Sequence, residues 1–180
     1  VISQGTTCIT NNANLIKKVY FPREILPISI VTSGLINFLI SCVIILLFVL
    51  LGGCGISWHL IFLPFIALVQ YVISLAIIFL LSAFNVYVKD VEYMVTFIIN
   101  LFFYATPVLY STEMFQGSWM IWLFRLNPMA HLINAYRDIF YVHHIPQLGN
   151  LAVLLVIGIV VLILCYKVFK KLEKRFAEEV

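Results

Sequence analysis

The sequence predicts an all-α integral membrane protein with four full transmembrane helices. Three observations carry that expectation. The 180 residues are 63% hydrophobic and only 11% charged, whereas a soluble domain is about half apolar and a quarter charged. Mean hydropathy is +1.09, and a chain of this size in water could not hide so much apolar surface. The apolar residues also fall in continuous runs rather than alternating ones, which fits helices and not the strands of a barrel. A soluble enzyme, a nucleic-acid module and a disordered tail are thereby excluded, and a net charge of +3 is small for a nucleic-acid partner.

The spans follow in order. Residues 27–51 carry no charge and end at Gly52-Gly53-Cys54-Gly55, a turn signal. Residues 60–84 are again uncharged. Residues 93–110 form the third span, with Pro107 near its end, and residues 151–168 the fourth. As helices these rise about 27–38 Å, which suits a hydrocarbon core of about 30 Å with some tilt. Two apolar pieces between the third and fourth spans, 112–124 and 128–141, are too short to cross. Asn127 before Pro128 makes a good helix start, a cap followed by proline at the first helical position. Residues 112–141 therefore read as a re-entrant helical hairpin, because backbone at membrane depth must be covered by protein or line a wet cavity. A pair of surface helices in a loop is the alternative.

Orientation comes from the basic residues. Lys17, Lys18, Arg23, Lys89, Lys167, Lys170, Lys171, Lys174 and Arg175 fall on one side, and Arg125 and Arg137 on the other. Both ends of the chain are then cytoplasmic. Trp58, Trp119 and Trp122, with Tyr110 and Tyr141, gather at the outer side as an interfacial aromatic belt.

No catalytic signature is present. H-E-x-x-H, G-x-S-x-G and the P-loop pattern are all missing from the sequence. Cys8, Cys42, Cys54 and Cys165 lie far apart, with no C-x-x-C pair, and none of the four histidines pairs with a carboxylate at metal-binding spacing. The spans hold no ionisable residue at mid-depth, which argues against a proton relay or a charged ion pore. Their polar residues are mild: Asn37, Ser41, Gln70, Ser74, Asn100 and Thr106. These either join helices or line a hydrophilic path. Glu113, Arg125, His131, Arg137 and Asp138 are the one outer-side set that an intramembrane enzyme could draw on, but no catalytic spacing emerges among them.

The segment 10–24 is the most informative. Leu15, Ile16, Val19 and Tyr20 recur at helical spacing, with Lys17 and Lys18 on the other face, and Phe21-Pro22 ends the helix. A short amphipathic helix held at a membrane span can take force from a cytoplasmic partner, or can lie on lipid phosphates. The tail, 169–180, continues the last helix out of the membrane, with Val168, Leu172 and Phe176 recurring four apart.

Taken in order, Leu15-Ile16-Lys17-Lys18-Val19-Tyr20-Phe21-Pro22-Arg23-Glu24, then Asn127-Pro128-Met129 with Tyr136-Arg137, then Phe169 to Glu179, resemble the permease subunits of type-2 ATP-binding-cassette exporters. The nearest kind are exporters of O-antigen, teichoic acid and related polymers. The resemblance implies a six-span permease of a bacterial cytoplasmic membrane, in which residues 1–9 end the second span and the four runs above are spans three to six. It implies a homodimer paired with two separate ATPase subunits, which hold ATP and magnesium, so that this chain needs no cofactor. It implies that Leu15, Lys17, Lys18, Val19, Tyr20 and Arg23 couple to the ATPase, and that the cargo is a lipid-linked glycan. Phe97, Leu101, Tyr104, Asn127 and Arg137 are the expected residues of the cargo path or its exit. Arg137 could meet a cargo phosphate or pair with Glu113 or Asp138. An exporter of the same architecture could instead carry a drug, a lipid or a peptide.

Overall fold

The computed structural model describes residues 1–18, 21–51, 58–106, 127–142, 144–174 and 176. Every regular element among them is helical. A short helix α1 (Ile2–Thr6) leads through a 3-10 turn at Thr10–Asn12 into α2 (Ala13–Lys18). The long helix α3 (Ile25–Leu51) follows, then a 3-10 turn at Trp58–Phe62 that runs into α4 (Leu63–Tyr87). Helix α5 covers Val91–Ala105, α6 covers Pro128–Arg137 and passes straight into a π-helical turn at Asp138–Val142, and α7 covers Leu148–Glu173.

Among the described residues, three helices are long and apolar enough to cross a membrane: Ile25–Leu51, Trp58–Tyr87 and Leu148–Glu173. They answer to the expected spans 27–51, 60–84 and 151–168, with ends moved by a few residues. The expected span 93–110 is matched only by the 15 residues of α5, which rise about 22 Å. Thr106 then turns extended, and 107–110 lie outside the described residues. So does 112–124, the first arm of the expected hairpin. Residues 128–141, the expected second arm, are helical, as α6 and the π turn.

Helix α4 stands at the centre. Half of its spanning window is buried within the chain, against 6% for the window of α3 and 17% for that of α7. A helix apolar all round is an interior element, whereas α3 and α7 turn most of their apolar surface outward. Parallel α7 lies along α4, and the approach is close where Gly158 faces it: a Cβ there would come within 3.3 Å of the side chains of both Val72 and Ile73. Gly5 likewise lets α1 touch α4, since a Cβ would meet Ile78 at 2.6 Å. Small residues let helix backbones approach in lipid, where packing rather than the hydrophobic effect holds them together.

The α4–α7 pair organises two half-cores. One gathers Ile66, Val69 and Ile73 of α4 with Leu151 of α7 and Leu132, Ala135 and Ile139 from α6 and the π turn. The other gathers Ile78, Phe79, Ala83 and Val86 of α4 with Cys165, Phe169 and Phe176, and with Cys8, Ile9 and Ile16 from the amino-terminal segment. Phe169 stacks edge-on against Phe79 at 5.1 Å and Phe176 at 5.6 Å, and Phe79 meets Tyr166 at 5.5 Å. The inward stripe of α7 and the tail is therefore Cys165, Phe169, Leu172 and Phe176. The expected stripe through Val168 is corrected by one position: Val168 is exposed and Phe169 fully buried, because α7 turns to set its aromatic ring against Phe79.

Buried Asn85 sits at the same end. Its amide donates to Thr10 Oγ1 at 3.4 Å, while its carbonyl oxygen has no hydrogen-bond partner among the described residues. Segment 1–12 satisfies its own polar groups locally, with Thr6, Thr10 and Asn12 donating to the carbonyls of Ile2, Thr7 and Cys8.

Phe169→Ala should cost about 3–5 kcal/mol, the usual loss for an aromatic deleted from a packed core. Phe84→Ala removes a ring that is 45% exposed and should cost far less. Thermal unfolding of the full-length protein in detergent would compare the two, and equal losses would mean that the aromatic stack is not a core.

Candidate functional site

Helix α2 and the corner after it form one end of the molecule. Ile16 is buried in the core beside Phe21, and Leu15, Lys17 and Lys18 are exposed. The expected shared apolar face of Leu15 and Ile16 is corrected: consecutive helical residues point about 100° apart, and only Ile16 packs inward while Leu15 is 46% exposed. The exposed side of α2 thus carries one large apolar residue flanked by two cations. Val19 and Tyr20 lie outside the described residues.

The corner Pro22-Arg23-Glu24 is fastened to the end of α7. Tyr166 donates to Glu24 Oε2 at 2.7 Å, and Lys170 Nζ lies 2.9 Å from the same oxygen. Lys170 also reaches Glu173 at 3.1 Å. Arg23 donates to the backbone carbonyl of Glu173, and its guanidinium lies over the Phe176 ring at 5.9 Å. From α4, the Tyr87 hydroxyl donates to the carbonyl of Leu172 at 2.9 Å. The last carbonyls of α7, which have no partner within the helix, are thus taken up by Arg23 and Tyr87. Arg23 turns back onto its own chain, unlike the outward Lys17 and Lys18.

The sequence reading missed Glu24, Tyr87, Tyr166 and Lys170 as members of this site. A signal existed in Tyr166 and Lys170, four apart on one face of a span that ends in cations, with Arg23-Glu24 opening the first span. Nothing in the sequence, however, says that these two span ends meet.

The other end is built around α6. Asn127 caps it as expected, its Oδ1 accepting from the Met129 N–H at 2.9 Å. The same side chain donates to Thr106 Oγ1 at 3.2 Å, which ties α6 to the end of α5. Tyr136 donates to Gln70 Oε1 at 2.9 Å, and its ring lies 5.1 Å from that of Phe38, so one side chain joins α3, α4 and α6. Gln70 and Thr106 thus join helices, whereas Asn100 is exposed on α5. The His144 N–H donates to the Asp138 carbonyl at 3.1 Å, at the π turn. Phe97 and Leu101 stand on the outward side of α5, 65% and 53% exposed, and only Val95 of that helix is buried among its described side chains. The Tyr104 side chain lies outside the described set. Asn127 and Phe97–Leu101 are not brought together. No three His, Cys, Asp or Glu side chains among the described residues could hold a metal ion.

The Tyr166 hydroxyl first, and then Lys170, hold the Glu24 carboxyl below its ordinary value of 4.5. A depressed folded value means that Glu24 contributes stability above 4.5 and loses it as pH falls through the lower folded value. The pair is partly exposed, so the contribution is below about 1 kcal/mol. Melting temperature measured as pH is lowered through this window should fall less in Glu24→Gln than in the wild type, and identical profiles would remove Glu24 from the clasp.

Comparison with known proteins supplies the family. The family model described as ABC-2 type transporter matches residues 1–141. The chain is 33% identical to the O-antigen export system permease protein RfbA of Myxococcus xanthus over 180 residues, covering 99% of this chain and 69% of that protein. It is 32% identical to two proteins of the same name from Klebsiella pneumoniae, covering 93% of this chain and 64% of each. The helical architecture and these matches agree, and the chain belongs to the ABC-2 type transporter membrane family.

Proposed function

We propose that this chain is the membrane core of a permease subunit that moves a lipid-linked polysaccharide, of the O-antigen or teichoic-acid kind, out across a bacterial cytoplasmic membrane. The observation that carries the reading is likeness along 99% of the chain to a protein named as an O-antigen export permease. In this reading α3, α4, α5 and α7 are four spans, α5 being lengthened by the residues after it. Residues 112–141 are a re-entrant hairpin at the outer side, and both ends of the chain face the cytoplasm. Two copies of the permease pair with two separate ATPase subunits, which hold ATP and magnesium, since this chain has no P-loop.

The geometry at the α2 end supports a coupling mechanism. The exposed Leu15, Lys17 and Lys18, with Val19 and Tyr20 beyond them, are the docking face for the ATPase. Ile16 and Phe21 seat α2 in the core, so a push on the docking face is passed on rather than absorbed by a loose loop. The clasp at Arg23 and Glu24 delivers that push to α7 as well as to α3. Outer-side α5, with Phe97, Leu101 and Tyr104, offers aromatic and apolar surface on which sugar faces could pass without a fixed charge. Asn127 and Arg137 stand at the exit.

A Leu15→Asp, Lys17→Glu double variant of the full-length permease should keep its yield and monodispersity but weaken ATPase capture by more than about tenfold, the effect of removing an interface hot spot. Surface polymer should fall with it. Co-purification and polymer blotting would read both, and normal capture with normal export would refute the docking role of α2.

A further inference from the structure

A cavity of about 880 Å³ opens between α2, the Pro22–Glu24 corner and the end of α7. Ile16, Phe21 and Pro22 give it an apolar side. Its charged lining is Lys17, Lys18, Arg23, Lys170 and Lys174 against Glu24 and Glu173, a surplus of three positive charges. Both carboxylates are already engaged by Lys170, at 2.9 and 3.1 Å. Among the described residues, Arg23 meets a backbone carbonyl and the Phe176 ring, neither of which carries a full negative charge. Lys17, Lys18 and Lys174 have no carboxylate within ion-pair distance among the described residues. Among the described residues, these cations line the walls of the hollow without an acid within ion-pair distance beyond those Lys170 already holds.

The position of the cavity narrows the choice of anion. It lies where α3 and α7 pass from charged to apolar sequence: Ile25 is 51% exposed one residue after Glu24, and Val168 is 38% exposed two residues before Lys170. A ligand here has cations at one level and exposed apolar helix surface at the next. That gradient suits a molecule with a phosphate at one end and hydrocarbon at the other. Basic pockets between helices on the cytoplasmic side are places where anionic lipid headgroups bind.

We propose that this cavity binds the phosphate headgroup of an anionic phospholipid of the inner leaflet, which bridges α2 to the end of α7. The proposal rests on the orientation given above, with the α2 end cytoplasmic. The lipid would then brace the clasp from outside, and its binding would depend on the charge of Lys174, which takes no part in the docking face of α2.

The test uses the full-length permease with its ATPase in detergent, titrated with short-chain phosphatidylglycerol and, in parallel, with phosphatidylcholine of the same chain length and with inorganic phosphate. Phosphatidylglycerol should bind and phosphatidylcholine should not. Lys174→Glu should weaken phosphatidylglycerol binding by about tenfold or more, since the reversal changes the local charge by two. Lys174→Arg should restore it, which separates lost charge from lost folding. Equal binding of the two lipids, or unchanged affinity in Lys174→Glu, would overturn the proposal. Binding of inorganic phosphate as tight as that of the lipid would assign the site to a soluble anion and overturn its lipid part. The ATPase should stay bound throughout. Its loss in Lys174→Glu with lipid binding unchanged would give the cavity to the docking interface instead. A wild type that binds phosphatidylglycerol but never captures an ATPase would refute the exporter reading and leave the lipid site standing.

Discussion

Close packing of α4 against α7 is the constraint on which the other elements depend. Lipid gives helices no hydrophobic reason to associate, so contact must come from shape and from the few polar groups available. Gly158 provides the shape, and the Phe79–Phe169–Phe176 stack fills the space beyond it. With these two helices side by side, each end of the pair offers a seat. One end receives α6 through Leu132, Ala135 and Ile139. The other receives the amino-terminal segment through Cys8, Ile9 and Ile16.

Stiffness at the α2 end bears on the docking role proposed for it. A short helix transmits force only if neither its seat nor its exit gives way. Ile16 is held in the core, and the corner that follows is bound through the Glu24 carboxylate, to Tyr166 and Lys170, and through the Arg23 guanidinium, to the Glu173 carbonyl, rather than by one bond. Each of these interactions is small when partly exposed, about 1 kcal/mol or less, yet they act on one rigid corner and must break together for it to move. The opposite end is joined differently, by neutral hydrogen bonds from Tyr136 and Asn127. Those bonds orient α6 without using a charged side chain.

Much of this was legible in the sequence where the signal is local. The cap at Asn127 and Pro128 was readable because capping is settled within three residues. The break after α2 was readable because proline restricts the residue before it. The clasp was not readable, because Glu24 and Tyr166 lie 142 positions apart. Nor was the division of Leu15 from Ile16: both are apolar, and only the placement of Phe21 and the amino-terminal segment decides which one is covered. The stripe on α7 was misplaced by one residue for a similar reason. Val168 and Phe169 are both apolar, and the choice between them belongs to Phe79 on another helix.

By itself, then, the sequence determined the class of the molecule, the location of the three long helices among the described residues and the charge difference between its two ends. Each follows from hydropathy and charge summed over a window, quantities that do not depend on what the helices touch. Tertiary structure decided which helix lies at the centre. Composition could not, since α3, α4 and α7 are all strongly apolar, and only packing buries half of one and little of the others. Tertiary structure likewise decided which charges are spent on each other and which are left to face a ligand. Ion pairing falls off within a few ångströms, so it is settled by how separate helices meet and not by the order of residues along any one of them.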